Sequence, residues 1–258
     1  MSGFDGTRVV VTGAARGIGA AVAGALAAAG ARVGMVDAAA DRLAGAVARI
    51  EQAGGRAVGV PADVGDEAAV ARAFEQLAAE LEGIDALACF AGVVGYAAAP
   101  DCAEEEWDRI MRVNAKGPFL CAKHAIPHLR RRGGGAILFT SSVMAFAAEP
   151  TTAAYSASKG AVEAMTRAIA LDHAAEGIRV NCIAPGVVRT DLLGDAAAYF
   201  GIAREDPTIE SWGERHPLGR LIEPAEVADV ALFLLSERAS AVTGSCYPVD
   251  GGLLGKLG

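Results

Sequence analysis

The chain contains no apolar run of ~18 residues free of glycine and charge, the length a membrane-spanning helix needs, and its N-terminus lacks the charged-then-apolar pattern of an export signal. We therefore expect a cytoplasmic protein with no membrane partner. No basic cluster exceeds Arg130-Arg131-Arg132, and the net charge is −8, so nucleic acid is not an expected partner. The five cysteines, Cys89, Cys102, Cys121, Cys182 and Cys246, show no close pairing, which suits reduced thiols better than a disulfide framework. The four histidines include one i,i+4 pair, His124 and His128, with Pro127 between them and no carboxylate beside them. No metal site is expected there. Internal repeats, low-complexity linkers and heptads are also missing.

What is present is a regular alternation. With 258 residues, 53% of them hydrophobic, the chain can bury a sizeable core as one α/β domain spanning 1–258. Short apolar runs near 7–12, 32–37, 56–61, 84–90, 135–141, 178–184 and 245–249 read as strands. Ala-rich stretches at 17–29, 41–53, 66–82, 104–130, 153–175 and 224–236 read as helices. This order implies βαβ units and a doubly wound parallel sheet flanked by helices. The alternation breaks at residues 190–216, a charged and aromatic stretch with Pro207, which reads as a substrate-covering lid or, alternatively, as an oligomer contact.

The β-branched run Thr7 to Val11 leads into Thr12-Gly13-Ala14-Ala15-Arg16-Gly17-Ile18-Gly19 and then a helix. Glycines suit a tight turn, close backbone approach to a pyrophosphate, and a helix N-terminus offering free N–H groups. The second strand ends in Asp37, eighteen residues after Gly19, where a carboxylate accepts from both ribose hydroxyls of NAD and repels a 2′-phosphate. A solvated loop carboxylate is the ordinary alternative. Arg16 is ambiguous, since it could reach an NADP phosphate. Farther on, Tyr155 and Lys159 lie four apart on one helix face, where a lysine cation beside a phenol favours the phenolate. The plain alternative is a packed tyrosine and a solvated lysine. Ser142 follows an apolar strand at the carboxyl edge, where open α/β sheets build their sites.

With these motifs in this order the chain resembles the classical short-chain dehydrogenase/reductase family over essentially its whole length. The resemblance implies a Rossmann fold and a set of roles. Asn114, Ser142, Tyr155 and Lys159 match the family's catalytic residues. Gly13, Arg16, Gly17, Ile18 and Gly19 match its glycine loop, Asp63 and Val64 its adenine-bracketing pair, and Ala91 and Gly92 the turn beside the cofactor. Pro185, Gly186, Val188 and Thr190 match the stretch that contacts the nicotinamide carboxamide. One departure stands out: Cys89-Phe90-Ala91-Gly92 replaces the usual Asn-Asn-Ala-Gly. It removes two amides from the centre of the sheet and makes Cys89 a small packed hydrophobe or, in the disfavoured alternative, a thiol nucleophile.

The resemblance implies reversible hydride transfer between NAD and a secondary alcohol or ketone. Tyr155 serves as general acid/base, Lys159 lowers its pKa and holds the ribose, Ser142 binds the substrate oxygen, and Asn114 anchors a proton-relaying water. An oxidised NAD pool favours a catabolic dehydrogenase. A 3-oxoacyl-carrier-protein reductase would need a basic docking surface and usually NADP. A catalytically silent nucleotide-binding regulator is disfavoured by the four retained residues, and a metal-dependent dehydrogenase by the missing ligand cluster. The substrate is expected to meet Val93, Val94, Tyr96, Ser142, Met144, Ala145, Thr152 and Val187 with Tyr199, Phe200 and Trp212 above them. These are mostly apolar, with Arg204, Arg215 or His216 available to a carboxylate. Apolar helical stretches Ile110 to Leu129 and Ala153 to Leu171, with Leu253 and Leu254, point to a homotetramer.

Overall fold

The computed structural model of the protein describes residues 3–203 and 206–256. Seven strands, β1 (Arg8–Thr12), β2 (Arg32–Asp37), β3 (Arg56–Pro61), β4 (Ala86–Cys89), β5 (Gly135–Thr140), β6 (Ile178–Pro185) and β7 (Cys246–Val249), form one parallel sheet in the order β3-β2-β1-β4-β5-β6-β7. The chain winds outward from β1 to β3, then returns to place β4 on the other side of β1. That reversal opens a crevice at the carboxyl ends of β1 and β4, the place where doubly wound sheets bind ligands.

Central strands buried on both faces must be apolar along their length rather than alternating. Four of the five residues of β1 and all four of β4 are buried. One face is covered by α1 (Gly17–Ala28), α2 (Ala40–Gln52) and α9 (Pro224–Leu235), which pack Val22, Leu26, Leu43, Val227 and Leu232 against the sheet. The other is covered by α3 (Glu67–Leu81), α5 (Gly117–Arg131) and α6 (Ala153–His173), with Phe74, Leu77, Leu120, Leu129 and Val162 inward. The Asp66 side chain starts α3 by accepting from the N–H groups of Ala68 and Ala69 at 2.9 and 3.3 Å, an N-cap that satisfies two otherwise orphaned donors.

The expected continuous helix over 104–130 is in fact broken. It comprises α4 (Glu104–Met111), a π-helical turn at Arg112–Lys116, and α5. The physical reason is Pro118, which has no N–H to give the carbonyl of Asn114 four residues back, so the chain widens for one turn before the α-helical ladder resumes. Such wide turns concentrate at functional sites.

Residues 190–216 also carry more structure than an irregular cover. They contain α7 (Asp191–Tyr199) and α8 (Thr208–Ser211), and Leu193, Ala197, Ile209 and Leu221 form a small core of their own. Arg204, expected to be available to a carboxylate because of its position in this segment, lies outside the described residues. Among the described residues no helix is long and apolar enough to cross a membrane.

Candidate active site

The glycine loop runs from the end of β1 into α1. A Cβ on Gly13 would stand 2.5 Å from the Ala91 nitrogen, and one on Gly19 would stand 2.1 Å from the Gly13 carbonyl oxygen. Both positions therefore need glycine, because loop, helix and the exit of β4 touch backbone to backbone. The start of α1 has no side-chain cap, and its first turn holds no acidic residue. Free N–H groups and the positive end of the helix dipole thus face the crevice, ready for an anion. At the end of β2 the Asp37 carboxylate is held from both sides, its Oδ2 accepting from Ala15 N–H at 3.1 Å and its Oδ1 from Ala39 N–H at 3.0 Å. A dinucleotide fits this arrangement: an uncapped helix end for phosphates, next to a fixed carboxylate for ribose.

Arg16 turns away from the Asp37 region. Its guanidinium meets Asp191 at 3.5 Å and Asp195 at 3.3 Å, on one face of α7. Beyond β3, Asp63 accepts from Gly65 N–H at 2.8 Å and from the Arg112 guanidinium at 2.6 Å. Burial pushes its carboxyl up, but Arg112 and the Gly65 amide outweigh that and hold it below the usual range. Val64 is buried, and a Cβ on Gly117 would lie 2.8 Å from its methyl, so the adenine-side candidates are braced by the first turn of α5.

Ser142 follows β5 and Tyr155 and Lys159 lie in the first two turns of α6, so one sheet edge brings all three together. Ser142 Oγ accepts from Met144 N–H at 3.2 Å, which leaves its own proton for the Tyr155 oxygen. The Lys159 ammonium lies 5.6 Å from the Tyr155 ring centroid and donates to the Thr140 carbonyl at 2.9 Å. Asn114 is buried. Its Oδ1 accepts from Val93 N–H at 2.8 Å, and its Nδ2 donates to the Val93 carbonyl at 2.9 Å and to Ser158 Oγ at 3.1 Å. Both Nδ2 protons and one acceptor site of Oδ1 are thus spent in clamping the turn after β4, while the main-chain carbonyl of Asn114 lacks the usual helical donor because Pro118 has no N–H.

In the chain alone, the forces on Tyr155 are dominated by burial and not by Lys159. Burial raises the phenol above its ordinary value, and the Ser142 hydrogen bond only partly opposes it. Burial also lowers Lys159, to about 8. Desolvation penalises whichever form is charged, so both groups are driven toward neutrality.

The wall beyond them is aromatic. Tyr96 stacks on Tyr199 with centroids 4.8 Å apart and meets Phe200 edge-on at 5.2 Å, and Phe200 meets Trp212 at 6.3 Å. Desolvation first, then the nearby Tyr155 and Glu149, push the Tyr96 hydroxyl up to about 12. Sequence reasoning missed the braces behind this wall. Arg109 grips Glu106 and donates to the Val94 carbonyl at 2.9 Å, and Gly95 leaves room for Glu106, whose Oε1 a Cβ would meet at 2.0 Å. The steric need for glycine beside a Glu-x-x-Arg pair was the only available signal. Thr152, expected to line the substrate, is buried and donates its hydroxyl proton to the Glu149 carbonyl at 2.7 Å. Two carboxylate-binding candidates are also corrected. Arg215 is ion-paired with Glu149 and lies over Trp212. His216 is buried with both ring nitrogens engaged.

The Cys89 departure has a visible consequence. Thr12 and Cys89 are register partners, and Thr12 Oγ1 is buried with no oxygen or nitrogen partner, facing only the weakly bonding Cys89 thiol. Burial raises that thiol well above its ordinary value, so it is not a nucleophile.

The depressed Lys159 value yields a stability prediction. Below pH 8 the amine is charged in the folded and the unfolded chain alike, and the folded state bears the full desolvation cost. As pH rises from about 8 toward the ordinary 10.5, the folded chain gives up its proton first and the cost fades. Lys159→Met should thus raise the unfolding free energy at pH 7 by about 1–3 kcal/mol, and by much less at pH 10. Urea unfolding at the two pH values measures this, and a variant destabilised at pH 7 would contradict it.

A family described as enoyl-(acyl carrier protein) reductase matches residues 13–254. The chain is 40% identical over 250 residues to the cis-4-hydroxycyclohexanecarboxylate dehydrogenase of Sinomonas cyclohexanicum, with 94% of each chain covered. It is 38% identical over 249 residues to the meso-2,3-butanediol dehydrogenase of Serratia marcescens, covering 96% of this chain and 95% of that one. A solved short-chain type dehydrogenase/reductase from Mycobacterium marinum superposes with a TM-score of 0.90 at 35% identity, covering 97% of this chain and 96% of that one. Since fold, motif order and near full-length similarity agree, the chain belongs to the short-chain dehydrogenase/reductase family, a family of oxidoreductases that use nicotinamide cofactors.

Proposed function

We propose that the protein is an NAD-dependent dehydrogenase acting between a small secondary alcohol and its ketone. The observation that carries this reading is the meeting of Ser142, Tyr155 and Lys159 at one sheet edge, beside the uncapped start of α1. When bound, the cofactor would supply the carbon that accepts or gives the hydride. Tyr155 takes the substrate hydroxyl proton in the oxidative direction and returns it in the reductive one. Ser142 donates to the substrate oxygen and steadies its developing charge. Lys159 holds the ribose hydroxyls and adds its cation on the side of the phenol, against the desolvation that otherwise disfavours phenolate. Asn114 offers its main-chain carbonyl to a water that relays protons from Lys159.

In this reading the loop from Gly13 through Arg16, Gly17, Ile18 and Gly19 receives the pyrophosphate, Asp37 the ribose, and Asp63 with Val64 the adenine. Ala91 and Gly92 pass beside the cofactor, and Pro185, Gly186, Val188 and Thr190 receive the carboxamide. NAD is favoured over NADP because the Asp37 carboxylate at the end of β2, held by Ala15 and Ala39 N–H, would repel a 2′-phosphate, while Arg16, the cation of the glycine loop, is engaged by two carboxylates. Residues 190–216 act as the lid. Val94, Tyr96, Met144, Val187 and the lid aromatics favour a substrate with an apolar or cyclic body, a view supported by relatives named for a hydroxycyclohexane acid and a butanediol.

Four chains assemble as a dihedral tetramer. Supporting this, Phe119 and Leu171 are 48% and 81% exposed on α5 and α6, beside a groove lined by Met111, Met165 and Ile169 and edged by Asp108, Arg112, Lys116 and Asp172. Mixed charge around an apolar strip is self-complementary across a two-fold axis.

Three measurements test the reading. Wild type should use NAD at least tenfold better than NADP in kcat/KM, and Asp37→Ala should narrow the ratio by on the order of 1–3 kcal/mol; a wild-type preference for NADP contradicts the assignment. Tyr155→Phe should retain NADH binding while losing nearly all turnover in a screen of secondary alcohols, and near-native kcat there would refute the proton-transfer role. Light scattering at micromolar concentration should report about four times the 26.1 kDa chain, whereas a stable monomer rules the assembly out.

A further inference from the structure

His216 stands outside the groups used so far, yet it is one of the most deeply buried polar residues, 1% exposed. Its Nε2 accepts the N–H of Val187 at 3.0 Å, and its Nδ1 donates to the Arg220 carbonyl at 2.7 Å. A backbone N–H can only donate and a carbonyl can only accept, so the neutral tautomer with its proton on Nδ1 is the one state that satisfies both bonds. Two glycines make room for the ring. A Cβ on Gly186 would lie 2.6 Å from His216 Nε2, and one on Gly251 would lie 3.1 Å from His216 Cβ.

The bond to Val187 completes a short ladder. After β6 the chain runs beside Ile222: the Val187 carbonyl accepts from Ile222 N–H at 3.0 Å, and Arg189 N–H donates to the Ile222 carbonyl at 2.9 Å. Val188 and Ile222 form an isolated parallel bridge. The next rung of that ladder would join Val187 N–H to the Arg220 carbonyl; the imidazole stands between these two groups instead and bonds both. Through one ring, the turn at 186–188 is tied to the turn at 216–220, and each is placed by the other.

We propose that His216 is a positioning residue for the nicotinamide end of the site, setting the height of Gly186-Val187-Val188 over the strand ends without touching cofactor or substrate. This role rests on the proposed function, in which this stretch receives the carboxamide. Two substitutions of similar size should then have unequal effects. In His216→Asn the side-chain amide reaches the place of Nδ1 and keeps the bond to Arg220, but nothing accepts from Val187. In His216→Gln the amide reaches the place of Nε2 and keeps an acceptor for Val187.

NADH affinity, titrated by fluorescence without substrate, separates positioning from mere filling of space. His216→Asn should weaken NADH binding about tenfold, the equivalent of one lost neutral hydrogen bond, and should speed hydrogen exchange in the peptide carrying Val187. His216→Gln should bind NADH within about threefold of wild type and keep that amide protected, even where its melting temperature falls as far as that of His216→Asn. If the two variants bind NADH alike, whether both unchanged or both weakened in step with their stability, His216 is only a structural plug and the proposal falls. A wild-type protein that binds no NADH overturns the proposed function and the role of His216 together.

Discussion

A parallel sheet covered by helices on both faces leaves polar chemistry nowhere to go except its ends, and here the carboxyl end carries everything. The glycine loop follows β1, Asp37 closes β2, Asp63 and Val64 follow β3, Ala91 and Gly92 follow β4, Ser142 follows β5, and Gly186 to Thr190 follow β6. The crevice exists because β4 returns to the far side of β1, so that neighbouring connections lead away from each other. The packing at that point is close enough to dictate glycine at Gly13 and Gly19. Sheet topology and the helix end that faces an anion are thus one arrangement rather than two.

Burial at this edge has an energetic consequence that sets stability against chemistry. Tyr155 and Lys159 are both desolvated, one pushed up and the other down, and neither is where an isolated chain would prefer it. Thr12 adds an orphaned hydroxyl beneath the glycine loop, where Cys89 offers only a weak partner. Strain collects nearby as well. Thr151, a β-branched residue, holds a left-handed φ of +66° just before the start of α6, a conformation that persists only where its surroundings impose it. Ala97 N–H donates to the Thr151 carbonyl at 2.7 Å, Thr152 is tied back to Glu149, and Glu149 is paired with Arg215.

These contacts connect the segment between β6 and α9 to both halves of the crevice. Arg16 reaches it from the glycine loop through Asp191 and Asp195, Tyr96 reaches it from the turn after β4 through Tyr199 and Phe200, and Glu149 reaches it from the approach to α6. The ion pairs are partly exposed and individually weak. The aromatic contacts are not sensitive to salt, so the segment's closed placement depends mainly on the rings and on its small core of Leu193, Ala197, Ile209 and Leu221.

Most of the architecture was legible in the sequence, because strand and helix periodicities, glycine turns and the Tyr155–Lys159 spacing are local properties that a chain carries wherever it folds. The strands begin and end within about two residues of their expected limits, and Asp37 closes β2 as its position implied. The π-helical turn had a local sign too, since Pro118 removes the donor for Asn114, but the apolar pattern around it reads as one uninterrupted helix. Other features had no local sign. The direction of the Tyr155 pKa depends on how much water the finished fold excludes, the engagement of Arg16 on carboxylates 175 and 179 positions away, and the burial of His216 on two glycines from distant turns. The order of residues along the chain sets which groups stand at the sheet edge. Their charge, their partners and their contact with water come from the folded molecule, because desolvation and long-range pairing are properties of the assembled surface and not of any segment of it.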